Sequence, residues 1–334
     1  MADRVFLTGA TGFVGAHILD ALIDAGYSVR ALVRSDGARI RVQHAQASTC
    51  ERVVGDLAHP GDLVRALDGC RYVVHCAALY SFAPSARAAM HAINVVGTAG
   101  LFEAAHLAGV ERAVLTSSSA TAGHEHDGRP ATEETFADAS GMRTGAYHHS
   151  KLDQERAAFA SRVPVVAVLP TAPIGAGDWK PTPTGAMILD FARGKMFAKP
   201  PGAGGMNLVA VEDVARAHVA ALTHGRIGER YLVGGENLPF DRLWAMLATI
   251  TGRSAPRWRV PVALALGIAY GDELRCRLSP HARPFVPLEG VRMSLDRMFV
   301  DASKAQRELG IVPSSVEAAL ERAVAYYRDN GYLN

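Results

Sequence analysis

The chain has 334 residues, 49% hydrophobic and 20% charged, with a formal net charge of +2. A chain of this length buries a substantial core as one large or two intimately joined domains, and its composition excludes a disordered or fibrous protein. So small a net charge gives no general electrostatic case for nucleic acid or an anionic membrane, which leaves small-molecule chemistry as the expectation.

In chain order, Val5 to Thr8, Ser28 to Val33, Arg71 to His75, Ala113 to Ser117 and Val165 to Leu169 are short β-rich runs of the kind found in buried strands. Longer stretches of helical period separate them. After the first run, Val14, Ile18, Leu22 and Ala25 recur at steps of three or four, and Gly26 is placed to end that helix. The alternation predicts βαβ units, hence an α/β fold with a Rossmann-type doubly wound parallel sheet over residues 1–170.

From residue 171 to 334 the pattern shifts to turns rich in Pro and Gly, at Trp179 to Gly185 and Lys199 to Gly205, mixed with shorter helices. Helices are expected around Ala186 to Arg193, Val211 to Thr223, Pro239 to Thr251 and Val316 to Arg328, with a strand around Arg230 to Val233. These predict a smaller C-terminal substrate-binding lobe that is intimately joined to the first part and returns segments to its sheet. Pro261 to Tyr270 is markedly apolar but too short to span a bilayer, and Gly271-Asp272-Glu273 interrupts it. A packed helix is expected there, with contact to lipid or a lipid-like substrate as the alternative. Cys50, Cys70, Cys76 and Cys276 have no CxxC spacing, and Met1-Ala2-Asp3-Arg4 runs straight into an apolar strand. The expectation is a reduced, cytoplasmic protein with no stable membrane insertion.

Thr8-Gly9-Ala10-Thr11-Gly12-Phe13-Val14-Gly15 sets three glycines between a strand and a helix. Gly9 and Gly12 permit a tight turn and close approach to a pyrophosphate, Gly15 permits close helix packing, and the helix N-terminus offers amide donors to the anion. The second strand ends Leu32-Val33-Arg34-Ser35, without the acidic residue that would accept from an adenosine ribose. A cation there suits a 2′-phosphate, so NADP(H) is preferred and NAD(H) possible; Arg34 as a solvated surface residue is the alternative. Asp56 in Gly55-Asp56-Leu57 either faces the adenine amino group or forms a turn.

Tyr147 and Lys151 stand four apart and share a helix face, where a cation beside a phenol favours the phenolate that an acid/base for an alcohol or ketone needs. An amphipathic helix carrying both by chance is the alternative. His124-Glu125-His126-Asp127 has metal-ligand residue types, but adjacent loop positions do not make zinc geometry, and no metal is expected. His148 and His149 cap, pack, face solvent or relay protons.

Together these pieces resemble the extended short-chain dehydrogenase/reductase family over nearly the whole chain. The resemblance is carried by the three glycines, Gly55-Asp56-Leu57, His75-Cys76-Ala77-Ala78, Asn94-Val95-Val96-Gly97-Thr98, Thr116-Ser117-Ser118, the Tyr147/Lys151 pair and Pro170-Thr171-Ala172-Pro173-Ile174-Gly175. Within the family the chain is similar to dihydroflavonol-4-reductase-like proteins and to hopanoid-associated sugar epimerases, through Lys180 to Gly185 and Gly228 to Asn237. The resemblance implies that Tyr147 exchanges the proton, that Lys151 lowers its pKa and binds the nicotinamide ribose, and that Ser118 holds the substrate oxygen. It implies cofactor contacts from Gly9, Thr11, Gly12, Phe13, Val14, Gly15, Arg34, Asp56, Leu57, Ala77, Ala78, Tyr147, Lys151, Pro170 and Thr171. A homodimer through the helices near Ala88 to Ala108 and Tyr147 to Ala160 is also implied.

Two reactions fit that resemblance: net reduction of a ketone or aldehyde, and epimerisation with hydride leaving and returning. Nucleotide-sugar epimerases of the family commonly carry an arginine before the Val-x-Asp-Val helix, whereas this chain reads Gly205-Met206-Asn207-Leu208-Val209-Ala210 there. Tyr80, Phe82, Trp179, Met187 and Met206 could wall a less charged ligand or simply pack, and Ser119, Lys180 and Asn207 are further substrate-side candidates. The expected activity is reduction of a ketone or aldehyde of a small, partly apolar substrate. Epimerisation and a non-catalytic NADP sensor are the alternatives.

Overall fold

A computed structural model describes residues 2–40, 50–81, 83–123, 129–136, 145–279, 282 and 284–333. Strands β1 (Arg4–Thr8), β2 (Ser28–Val33), β3 (Cys50–Val54), β4 (Tyr72–His75), β5 (Arg112–Thr116) and β6 (Val165–Pro170) follow the alternation expected from the sequence, with helices between them. The remaining strands are β7 (Ala172–Ile174), β8 (Gly205–Ala210), β9 (Arg230–Val233), β10 (Glu236–Pro239) and β11 (Arg297–Met298). A seven-stranded sheet runs in the order β3-β2-β1-β4-β5-β6-β9, and every pairing in it is parallel. β1 lies between β2 and β4, so the chain's progression reverses beside it, and that reversal leaves a crevice at the carboxyl ends of the strands.

Strands buried on both faces need apolar residues throughout, which Phe6, Leu7, Val73, Val74, Val114, Leu115 and Val166 to Leu169 supply. One face packs on the helices Phe13–Asp24 and Val211–Thr223, the other on Gly97–Leu107. β9 comes from beyond residue 170 and forms an outer strand of the large sheet. A smaller sheet centres on β8, which pairs β10 antiparallel and β7 and β11 parallel. Trp244 lies in its core between Phe191 and Phe240, with ring centroids 6.0 Å away on either side.

The structure differs from the sequence reading in the smaller sheet, whose strands β7, β8, β10 and β11 were not expected, and in three further elements. β3 escaped it because Cys50-Glu51-Arg52-Val53-Val54 is an edge strand with no fully buried residue. The helix expected over Ala88 to Ala108 has a π-helical stretch, His91–Val96, between Arg87–Met90 and Gly97–Leu107. The apolar helix runs Val262–Leu278, straight through the expected break, because Asp272 accepts from the amides of Phe285 and Val286 and pairs with Arg275 instead of ending the helix. Only Ala265, Ala269 and Cys276 of that helix are buried, so it is a surface element rather than a packed one. Among the described residues no helix is long and apolar enough to cross a membrane.

Candidate active site

β1 delivers Gly9 with φ +82°, a conformation that side chains rarely adopt. A Cβ on Gly9 would lie 2.7 Å from the amide nitrogen of Ala77, and one on Gly15 would lie 2.0 Å from the Gly9 carbonyl oxygen. The loop therefore closes on itself and on the segment after β4 only because both positions are glycine. The Thr8 hydroxyl accepts from the Ala77 amide at 3.1 Å and fixes that approach. Amides in the first turn of the helix Phe13–Asp24 have no partner within the helix and are the donors such a loop offers an anion. The cradle fits a dinucleotide pyrophosphate.

A cavity of about 1550 Å³ follows the strand ends. Across the sheet it passes Arg34, Ser35 and Arg39 after β2, Gly9, Thr11, Gly12, Phe13 and Val14 after β1, Asp56 and Leu57 after β3, and Ala77 and Ala78 after β4. Ser118 and Ser119 follow β5, Pro170 and Thr171 close β6, and Tyr80, Tyr147, Lys151, Trp179, Lys180, Met187, Met206 and Asn207 complete this wall. Gly15 lies behind, against Gly9. Phe82 and the segment His124 to Asp127 fall outside the described residues.

The helix Ala146–Phe159 carries Tyr147 and Lys151. Burial pushes the Tyr147 hydroxyl up to about 12, a hydrogen bond with Ser118 pulls it down, and the Glu289 carboxylate pushes it up again. The tyrosine ring leans on Tyr80, with centroids 4.3 Å apart. Burial also lowers Lys151 to about 8, against the opposing pull of Cys76 and Glu155. Its ammonium donates to the Thr116 carbonyl at 2.9 Å and to Gln154 Oε1. The sequence reading had Lys151 lowering the tyrosine pKa; in the structure burial outweighs every charge effect, and Ser118 supplies the opposing one.

Beneath the pair lies a buried polar chain. Thr98 spends its proton on the Asn94 carbonyl at 2.6 Å, so it accepts from His75 Nε2 at 2.8 Å and from Gln154 Nε2 at 3.0 Å. His75 Nδ1 is then the acceptor for the Thr8 hydroxyl at 2.7 Å, and the ring is neutral. Burial agrees, holding His75 down at about 3. Asn94, in the π-helical stretch, donates to Ser150 Oγ and to the Leu79 carbonyl and accepts from the Leu79 amide. Lys151 and the segment bearing Ala77 and Ala78 are thus held by one network.

The loop of Ser118 is fixed from the other side. Ser117 Oγ donates to Glu155 Oε2 at 2.5 Å and Thr121 Oγ1 donates to the same oxygen at 3.0 Å. Arg230 on β9 meets Glu155 Oε1 at 2.8 Å and donates to Thr121 Oγ1 at 2.9 Å. Asn207, a candidate for holding a substrate oxygen, instead accepts from Thr171 Oγ1 and the Gly235 amide and donates to Asn237, which makes it a brace between β8 and its neighbours. Asp56 accepts from the Ala58 amide at 3.0 Å, the turn alternative, while still lining the cavity. Trp179 Nε1 donates to the Thr11 carbonyl at 3.3 Å, which seats the indole on the glycine loop.

Sequence reasoning missed Arg39, Gln154, Glu155, Arg230 and Glu289. Glu155 had a signal, since it continues the four-residue spacing of Tyr147 and Lys151 along one helix face.

Residues 5–234 match the model of the NAD dependent epimerase/dehydratase family. The chain is 42% identical to the "Putative dihydroflavonol 4-reductase" of Synechocystis sp., over 100% of this chain and 97% of that protein. It is 35% identical to sterol demethylase protein B of Methylococcus capsulatus, over 98% and 99% of the two chains. The crystal structure of gox2253 superposes with a TM-score of 0.83 at 36% identity, covering 99% of this chain and 100% of that one. The matched region takes in the glycine loop, the serine strand and the Tyr147/Lys151 helix together, so the chain belongs to the NAD dependent epimerase/dehydratase family, enzymes of the extended short-chain dehydrogenase/reductase type that bind a nicotinamide cofactor.

Proposed function

We propose that the enzyme reduces a ketone, or oxidises the matching secondary alcohol, on a substrate with an apolar body, using NADP(H). The observation that carries this reading is the position of Tyr147. It lines one cavity together with Ser118, the glycine loop and a wall of Trp179, Met187, Met206, Phe240, Met293 and Met298. That wall is apolar and thioether-rich, which suits a hydrocarbon skeleton better than a diphosphate. Likeness to a sterol demethylase protein and to a dihydroflavonol reductase points to a ring-bearing alcohol or ketone.

When bound, the nicotinamide supplies or takes the hydride. Ser118 and Tyr147 hold the substrate oxygen, and the charge that builds on it during reduction is met by their hydroxyl donors. Tyr147 gives up its proton to that oxygen, or takes it in the reverse direction. Lys151, held by Thr116 and Gln154, places a positive charge close by on the same helix face. Arg34, Ser35 and Arg39 border the cavity where an adenosine 2′-phosphate would lie, with two guanidinium groups to pair with it.

Epimerisation is the second reading, favoured by the matched family. Against a nucleotide sugar stands β8, which offers Met206 and Asn207 where such enzymes commonly carry a phosphate-binding arginine, and Asn207 is already engaged. The test is an NADPH-oxidation assay on alicyclic ketones, with NADH and keto-nucleotide sugars in parallel. Net turnover on the alicyclic ketones is expected. Interconversion of nucleotide-sugar epimers with no net cofactor change would replace this reading with the second.

A further inference from the structure

The surface helix Val262–Leu278 presents Leu264, Ile268, Leu274 and Leu278 to solvent at 56%, 48%, 57% and 78% exposure. At about 100° per residue these four, with Gly267 and Gly271 between them, fall within an arc of roughly 120°, an apolar strip that Arg275 alone interrupts. Trp258 and Phe285 extend it, exposed at 80% and 86%. The helix's inner side packs Ala265 and Ala269 on Val291, so the strip faces away from the protein.

Two features identify what covers it. The first is continuity with the cavity. Phe285 and Val286 line the cavity and are tied to the helix by amides that donate to Asp272 at 2.6 and 2.8 Å. Pro200 and Pro201 line it too, and the neighbouring Lys199 exchanges backbone hydrogen bonds with Trp258 and Val260. The apolar surface therefore reaches the cavity's opening from both sides.

The second is charge. Residues 253–297 contain eight arginines and four acidic residues, a surplus of four in a chain whose whole net charge is +2. Three of those acids are committed, Asp272 to backbone amides and Arg275, Glu273 to Arg277, and Glu289 to His148, while Arg259 is paired with Asp241. Arg257 and Arg297 are exposed. An apolar strip set among cations is the pattern of a helix lying in the plane of an anionic lipid interface.

We infer that this face docks on an anionic bilayer, with the helix Val262–Leu278 at the interface and the cavity opening toward the lipid. An apolar substrate then passes from the lipid phase to Tyr147 without crossing water. This inference goes beyond the proposed reaction and stands without it, because docking is read by binding alone.

The test uses the full chain with phosphatidylcholine vesicles, with and without phosphatidylglycerol. Expected are co-sedimentation with the phosphatidylglycerol vesicles, weakening as salt is raised through the physiological range, and a blue shift of tryptophan emission that Trp258→Phe removes. The double variant Leu264→Gln/Ile268→Gln is expected to bind about tenfold more weakly, with its circular dichroism and NADP affinity unchanged. Absence of vesicle binding by folded protein at low salt, or equal binding by the double variant, would overturn the inference. So would a double variant that turns a dimer into a monomer without lipid, which would assign the face to a second copy of the chain.

Discussion

His148 Nδ1 stands 2.5 Å from Glu289 Oε1, which joins the neighbour of the proposed proton donor to a helix 141 positions further along the chain. Both side chains are nearly buried, and the Glu289 carboxylate sits where a Cβ on Gly145 would lie, so it closes over the start of the Tyr147 helix. Its negative charge also opposes ionisation of Tyr147. Glu289→Gln keeps the shape and removes the charge. The tyrosine pKa should then fall, and the rise of alcohol oxidation with pH should move to lower pH. Loss of a charge-assisted hydrogen bond is expected to cost about 1.5–3 kcal/mol, read from urea unfolding. A pH–rate profile that stays in place would show that the carboxylate only braces the fold.

Tyr147→Phe removes the proton donor and leaves the ring against Tyr80. Turnover should drop by about 10²–10⁴ with NADP affinity retained, as measured by cofactor titration beside steady-state assays. Ser118→Ala should cost about 10²–10³, since it takes away one hydrogen bond to the developing oxyanion. Near-normal rates in Tyr147→Phe would remove the tyrosine from the chemistry.

Arg34→Ala and Arg39→Ala should each weaken NADP binding about tenfold, roughly 1.4 kcal/mol, while NAD binding changes little. Equal losses for the two cofactors would make both arginines structural.

Glu155 and Arg230 form a nearly buried pair behind Ser118. Arg230→Met leaves a carboxylate without its cation and should cost about 3–5 kcal/mol. Adding Glu155→Gln should restore part of that, because the stranded charge is gone. If denaturation finds the double variant no better than the single, the cost arises elsewhere, for instance in the Arg230 bonds to the Glu133 and Thr135 carbonyls.

How far the site was legible follows from the range of the interactions. The glycine loop, the strands and the Tyr147/Lys151 pair are local patterns, set by periodicity or by residues a few positions apart, and the structure brings them to one cavity. Glu289 and Arg230 act through partners fixed only by tertiary packing, as with Ser117 and Arg230, which meet on Glu155 from just after β5 and from β9. Asn207 looked like a ligand donor because its engagement by Thr171, Gly235 and Asn237 depends on how β8 pairs. Asp272 looked like a helix breaker because its amide partners lie across a turn at Phe285 and Val286.

The buried histidines give a prediction whose sign follows from linkage. Burial lowers His75 to about 3 and His218 to about 4 from a usual value of 6.5. His218 Nδ1 meets the Val214 carbonyl and Nε2 meets the Thr116 hydroxyl, so the neutral ring satisfies both neighbours, as His75 does between Thr8 and Thr98. Between these folded values and 6.5 the unfolded chain takes up protons that the folded protein refuses. Their stabilisation is therefore complete above about pH 6.5. It declines as pH falls toward 4 and then 3. Each pKa unit is about 1.4 kcal/mol, so the two together amount to several kcal/mol. Thermal unfolding followed from pH 7 down to about pH 4 should show a steep loss in the native chain and a shallower one in His218→Gln, which has no ring to titrate. Equal slopes in the two proteins would mean that His218 is protonated in the folded state and that acid lability comes from the carboxylates instead.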